Sequence, residues 1–410
     1  MKHLNFFIEN WRFLTFGIVA NLIASSGQTY FISIFGGELR REFSLTNGDF
    51  GLIYMTATIA SAISIIWLGR LIDRMDLRIF TALACIGMIS AVLSISSAQH
   101  ILMLGFAFYL LRLTGQGLMN HIAMTSMGRY FAKQRGIAIG LTSFGDTIGL
   151  AVYPLLGALL IGWFGWRYSW LTLGIVYLVA LIPLMLWLLK GHGIRHLAYR
   201  VQLQNNQNHD GSKTVSKPLH LILKEARFYF IMPAILSPPF LMTGLIFHQI
   251  KIMEIKGWSI SIFTSGFIGL ATTTFLTSLL LGPLVDRWHA INLLPFILLP
   301  LSIGLLILNI SNADYVGFLY LIFLGMSIGA TFTVTEALWP ELYGTIHLGA
   351  IKAFIRALIV FTSALAPWVF GLLFDMGFLI LEISLLSIFI IIVSSFFSKI
   401  MQLNCDSKQI

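Results

Sequence analysis

The chain has 410 residues, of which 57% are hydrophobic and 10% charged, with a mean hydropathy of +0.86. A soluble domain carries about 25% charge, so water is excluded as the solvent for most of this surface and a bilayer takes its place. The net charge of +9 is scattered between apolar runs, which argues against a nucleic-acid-binding patch.

A hydrocarbon crossing needs about 20 apolar residues as helix. Twelve such spans are predicted, at roughly 13–37, 48–69, 79–97, 101–127, 136–162, 168–189, 228–250, 259–282, 291–309, 314–338, 350–373 and 377–398. No alternating ten-residue strand pattern appears, which speaks against a β-barrel. The first apolar run is long and lacks a small-residue cleavage signature, so no signal peptide is read. The fold class expected is all-α integral membrane: twelve helices in two pseudo-symmetric six-helix bundles. The expected parts are an N-terminal bundle at 1–189, a cytoplasmic linker at 190–227, a C-terminal bundle at 228–398 and a tail at 399–410. Within the linker, Gln204 to Pro218 is rich in Asn, Gln, Ser and Lys and is expected to be disordered. Leu219 to Arg227 reads as a short helix on the membrane surface.

The two bundles are copies. Gly69, Leu71, Asp73, Arg74, Tyr130, Gly136 and Pro154 recur 213 residues later as Gly282, Leu284, Asp286, Arg287, Tyr343, Gly349 and Pro367. Seven matches in one register indicate a duplicated half. Orientation follows from the basic residues. With both termini inside, the cytoplasmic segments carry 20 Lys and Arg and the outer loops 5 (Arg40, Arg41, Arg167, Lys251, Lys256), while Arg112 lies within a span. The expected location is the plasma (inner) membrane, with the basic loops meeting anionic headgroups.

This pattern resembles the major facilitator superfamily. The resemblance rests on parallel six-span halves, a long linker, and Gly69-Arg-Leu-Ile-Asp73-Arg74 between spans two and three. Arg78 fits the end of the family motif, whereas Asp76 and Leu77 depart from it. Arg112, Gly115, Gln116 and Gly117 are similar to a family signature in span four. Arg129 to Gly157 with Gly165-Trp166-Arg167 is similar, more weakly, to the monocarboxylate and oxalate/formate branch. The family's drug antiporters carry a Gly-Pro pattern in span five, and here Asp146 stands where the first proline is expected. The resemblance implies secondary active transport with spans 1, 4, 7 and 10 lining a central cavity.

The residues point to the same four spans. Polar groups in lipid are costly and usually face a cavity. Asn21, Ser25 and Gln28 form one helical stripe in span one, and Arg112, Gln116 and Asn120 another in span four. Span seven offers Ser237, a broken Pro238-Pro239 pair, Thr243 and His248. Span ten offers Ser327, Thr331 and Thr335, with Glu336 in its last turn. The bland alternative for each hydroxyl is a bond to its own helix's i−4 carbonyl. Arg112 is read as a fixed cation for an anionic substrate, or else a structural ion pair. Asp146 is read as a proton carrier, or else a neutral acid at a helix contact. His121 is expected to face a neighbouring helix. Gly69, Asp73, Arg74 and Arg78, with Gly282, Asp286 and Arg287 as their copy, are read as a cytoplasmic gating latch in which Asp73 caps the next helix or accepts from a facing one. The glycines of span five, Gly136, Gly140, Gly145, Gly149 and Gly157, make it a thin rod for close packing.

No phosphate-binding loop, zincin motif or nucleophile elbow appears, so ATP-driven transport and membrane hydrolysis have no visible chemistry. The expected function is proton-coupled transport of a small organic anion such as a monocarboxylate by alternating access, without cofactor or metal. The partners are the solute, protons and the bilayer, and a monomer is expected. Alternatives are proton-antiport efflux of drugs or amphipathic cations, and a transporter-like substrate sensor.

Overall fold

The computed structural model describes residues 2–131, 134–193, 195–197, 219–344 and 347–406. The stretch 204–218, expected to be disordered, and the last four residues of the tail lie outside them. Among the described residues the chain is helical throughout, with turns and no strand. Among these residues ten helices are long and apolar enough to cross a bilayer, and a bent pair in span one makes eleven. The longest, Arg135–Leu188, has 54 residues, more than twice the about 20 that one crossing needs. Positive-φ backbone at Gly165 (φ 72°) interrupts it, so it supplies spans five and six and brings the spans among the described residues to twelve.

Contacts divide the chain into two compact units. One is Met1–Glu38 with Thr56–Ser212; the other is Leu39–Met55 with Lys213–Ile410.

In the first unit, span one lies along span five on a face of glycines. A Cβ at Gly145 would sit 2.2 Å from the Ile18 carbonyl oxygen, and one at Gly149 would sit 1.8 Å from Ser25 Oγ. Gly157 packs on Phe31 and Ile34, whereas Gly136 and Gly140 touch nothing within 4 Å. The rod is therefore thin only where span one crosses it. Phe31 is also ringed by Phe35, Tyr153 and Trp170 at 5.1–5.2 Å between centroids. Such aromatic pairs add to the burial term.

In the second unit, spans eight (Ile260–Trp288) and ten (Asp314–Tyr343) zip together through small residues. A Cβ at Gly325 would meet the Leu270 carbonyl at 2.3 Å, and one at Gly329 the Thr274 carbonyl at 2.4 Å. The close approach lets hydroxyls bond across: Thr273 donates to the Ile322 carbonyl, Thr274 to Gly325 and Ser278 to Gly329, at 3.1–3.3 Å. In lipid, where apolar burial does not distinguish partner from solvent, such packing and bonding hold helices together.

Span seven corrects an expectation. Pro238-Pro239 reads as a break, yet the helix Ala226–Phe247 runs through Pro233, Pro238 and Pro239. Its interior face (Ile231, Ala234, Ile235, Ser237, Pro238, Leu241) is buried, and tertiary packing of this kind overrides the local penalty of proline. The break falls in span one instead.

Where span six ends, His192 is 2% exposed. Its ring stacks on Phe13 at 5.8 Å and meets Tyr130 edge-on at 4.9 Å. Burial pulls its pKa from 6.5 down to about 4, against a smaller opposing pull from Asp76. The native state therefore binds this proton less readily than the unfolded chain. The stability it protects is complete above pH 6.5 and is lost as pH falls from 6.5 towards 4, by up to about 1.4 kcal/mol per pH unit. His192→Phe keeps the stacking and removes the proton. Melting in detergent is expected to show a smaller fall from pH 7.5 to 5 for the variant than for the wild type, and equal falls would contradict this account of the ring.

Candidate functional site

Span one is helical from Lys2 to Ala24, tightens over Ser25–Gly27, becomes extended at Gln28 (φ −85°, ψ 153°) and resumes at Thr29. The two pieces bend by 47°. No proline causes this. Gly27 is pressed against span four: a Cβ there would stand 2.3 Å from the Leu111 carbonyl oxygen and 2.9 Å from Gly115 Cα. Gly115 answers with no side chain, since its Cβ would stand 2.8 Å from Gly27 Cα. Span four is itself widened into a π-helix over Arg112–Met119, a local loosening often found at functional positions. Two irregular stretches thus meet backbone to backbone.

Arg112 lies at that meeting point. It is 5% exposed, and its Nη1 donates to the Gly27 carbonyl at 3.2 Å. An interrupted helix leaves main-chain groups without intrahelical partners, and non-helical backbone at membrane depth requires polar neighbours or water. The guanidinium supplies a donor where the helix fails to.

The other polar residues of spans one, four and five gather nearby. Asn21 is fully buried; it donates to the Thr142 carbonyl at 3.1 Å and accepts from Asn120 Nδ2 at 3.2 Å. Ser25 is buried and donates to the Asn21 carbonyl at 3.4 Å. Tyr30, just past the break, bonds to Ser25 and lies within electrostatic range of Asp146. Gln28 and Gln116 are half-buried, as are Asn120 and Asp146. The structure therefore brings Asn21, Ser25, Arg112, Asn120 and Asp146 to one region of the first unit. Tyr30 and Gly27 belong to it too. Tyrosine is common enough in apolar runs to pass unnoticed, and the Gly27–Gly115 contact joins residues 88 positions apart.

The second unit places its expected residues otherwise. His248 is 3% exposed, with its Nε2 against the Pro367 carbonyl at 2.7 Å and its ring against Phe247 and Phe374. It packs inside the second unit. Thr335 bonds back to the Thr331 carbonyl at 2.6 Å, the intrahelical alternative. Ser327 accepts from the Leu301 N–H at 2.8 Å. Thr243 is half-buried. Glu336 pairs with Lys352, both partly exposed, a type of contact worth little.

At the turn after span two, Asp73 binds Arg129 of span four, which also donates to the Ile72 carbonyl at 3.1 Å. The cap of the next helix is Asp76, not Asp73. Asp73 ends the short turn Gly69–Asp73, whereas Asp76 adopts the extended cap conformation and accepts from the Arg78 N–H at 2.8 Å. Arg78 also grips it through Nε and Nη2 at 3.1 and 2.9 Å, and these bonds hold the carboxyl down at about 2. Arg74 is exposed. The Gly69 carbonyl meets His121 Nε2 at 3.1 Å, beside a cavity of about 210 Å³ lined in part by Arg70, Asp73 and Thr125. The copy in the second unit is built differently. The residue 213 places after Arg129 is Leu342, so Asp286 has no equivalent guanidinium. Glu341 takes over there, accepting from the Ala290 N–H at 2.8 Å and pairing with His289 at 3.3 Å. Gly282 has open space around it, and Arg287 lines a separate cavity with Trp288 and His289.

A family model described as Major Facilitator Superfamily matches residues 17–367. The chain belongs to the major facilitator superfamily. It is a multi-pass membrane transporter and not an enzyme. Among curated relatives, human monocarboxylate transporter 6 is 30% identical over 153 residues, covering 36% of this chain and 29% of the relative. Human monocarboxylate transporter 2 is 35% identical over 102 residues, 24% of this chain and 20% of the relative. Mouse monocarboxylate transporter 4 is 29% identical over 153 residues, 35% and 30% of the two chains. The matched stretches thus span less than a third of each relative's own length. Among solved structures, a bacterial homolog of the human lysosomal transporter Spinster, in an inward-facing and occupied conformation, superposes with a TM-score of 0.69 over 95% of both chains at 16% identity. That likeness concerns the fold.

The backbone contact carries a prediction. Gly115→Val places atoms where Gly27 stands and is expected to cost about 1–3 kcal/mol by overpacking, read as a lower melting temperature in detergent. Gly136→Ala, with nothing within 4 Å, is the matched control and should melt no lower than the wild type. Equal melting of Gly115→Val and wild type would show that the spans do not meet this closely.

Proposed function

We propose that this transporter moves a small organic anion, a monocarboxylate in the first instance, by alternating access coupled to the proton gradient. The observation that carries the reading is Arg112: a guanidinium 5% exposed that donates to the Gly27 carbonyl at the break of span one, with the Asn21–Asn120 pair further along the same two spans. A cation held at membrane depth costs about 2.5–3.5 kcal/mol on insertion scales, and an anionic solute offsets that cost while it is bound. A carboxylate also matches the planar fork of arginine. Asp146 is the proton carrier in this reading, close to Tyr30 on the far side of the break. The named relatives are monocarboxylate transporters over the matched stretches, which agrees in substrate class.

The remaining assignments belong to the same proposal. The halves are 1–189 and 228–398, joined by the linker 190–227. Both termini are cytoplasmic in the plasma membrane, given the 20 to 5 distribution of Lys and Arg. Asp73 with Arg129, and Asp76 with Arg78, form the cytoplasmic gating turn. The protein works as a monomer.

The test is uptake of labelled carboxylates into proteoliposomes, with and without an imposed pH gradient. Gradient-dependent uptake is expected for the wild type, with a loss of about tenfold or more in Arg112→Ala from removal of a charged hydrogen-bonding partner. Absence of carboxylate uptake by folded wild-type protein would overturn the anion reading in favour of cation efflux centred on Asp146.

A further inference from the structure

The start of span two, Asn47–Leu68, accounts for its first N–H groups in an unusual way. A helix leaves its opening donors without intrahelical partners. Thr46 and Asp49 deal with their own share through a local capping box: the Asp49 N–H reaches Thr46 Oγ1 at 3.0 Å, while the Thr46 N–H and hydroxyl reach Asp49 Oδ2 at 3.2 and 2.8 Å. The next donors are served by another helix altogether. Asp375, the last residue of span eleven, Leu348–Asp375, accepts from the Asn47 N–H at 3.0 Å, from Asn47 Nδ2 at 2.8 Å and from the Gly48 N–H at 2.6 Å. Its charge also faces the positive end of the span-two helix.

The crossing is built to admit this carboxylate. A Cβ at Gly51 would stand 2.3 Å from the Pro367 carbonyl oxygen, and one at Gly371 would stand 2.4 Å from the Asn47 carbonyl oxygen. Arg40 donates to Asn47 Oδ1 at 2.5 Å and faces Glu254 at 3.6 Å. Deeper in, Phe50 and Tyr54 pack on Phe247 at 4.9 and 4.6 Å between centroids, and both are buried. Leu39–Met55 therefore belongs with the second unit in contacts while remaining joined in sequence to span one and the rest of span two. By the Lys and Arg distribution, this crossing lies at the outer face.

We propose that Asp375 is the releasable catch of the outer gate, capping span two while the transporter is closed to the outside and surrendering those three bonds when it opens. This rests on the alternating-access reading above. A catch must hold and also let go. Asp375 is exposed, so water replaces each lost bond and the net cost of release is only a small part of the bonds' gross strength, within reach of substrate binding. A fully apolar seam has no such exchange. The capping box remains with span two in either state, so the helix keeps its own start when Asp375 leaves.

The test is labelling of Tyr54→Cys by a membrane-impermeant maleimide from the outside, in a background with Cys85 and Cys405 replaced. Tyr54 is fully buried in the closed crossing. Asp375→Asn, close in shape and uncharged, and Asp375→Ala are each expected to raise the labelling rate about tenfold, one tenfold step corresponding to about 1.4 kcal/mol. Equal elution on size exclusion shows that the variants are folded, and Phe247→Cys serves as a second reporter. Labelling no faster in either variant, at either reporter, overturns the catch. The labelling needs no solute. Faster labelling without carboxylate uptake keeps the catch and removes the monocarboxylate reading; uptake with unchanged labelling does the reverse.

Discussion

A buried guanidinium bonded to a main-chain carbonyl at a break in a membrane helix is the constraint on which the first unit depends. Arg112 needs a polar partner at membrane depth, and the interruption at Ser25–Gln28 needs donors. Each supplies the other through the Gly27 carbonyl. The arrangement requires spans one and four to touch at their backbones, which is why glycine stands at 27 and 115. It also requires span five to come in close, which is why Gly145 and Gly149 face Ile18 and Ser25.

Much of the fold is legible in the sequence because lipid imposes a simple rule. Twelve apolar runs follow from the need to satisfy every backbone group inside the membrane, the recurrence at 213 residues from duplication of a half, and the scatter of Lys and Arg from the charge rule for membrane loops. The polar stripe of span one and the stripe of span four are legible for the same reason: an Asn, a Ser and an Arg in lipid have few places to face. Asn21 and Asn120 do meet, at 3.2 Å.

What the sequence hides depends on partners far away along the chain. The break in span one has no proline to announce it, while the prolines of span seven announce a break that packing prevents. Asp76 reads as a departure from the family motif and is the cap of the third span. Asp286 reads as a copy of Asp73, but Leu342 stands where the copy of Arg129 would be, so charge recognition at that turn passes to Glu341. Asp375 has only ordinary neighbours in sequence, and its partners lie 327 and 328 positions away. Helical periodicity places a residue on a face; it does not say which helix lies opposite.

The central claim is that the solute occupies the region where span one breaks beside Arg112. Hydrogen exchange of the purified protein, followed by mass spectrometry with and without a saturating monocarboxylate, addresses it most directly. Protection concentrated in peptides covering Asn21–Tyr30 and Arg112–Asn120, and absent in Arg112→Ala, is the predicted result. Protection confined to other spans, or unchanged by removal of the guanidinium, would contradict the account.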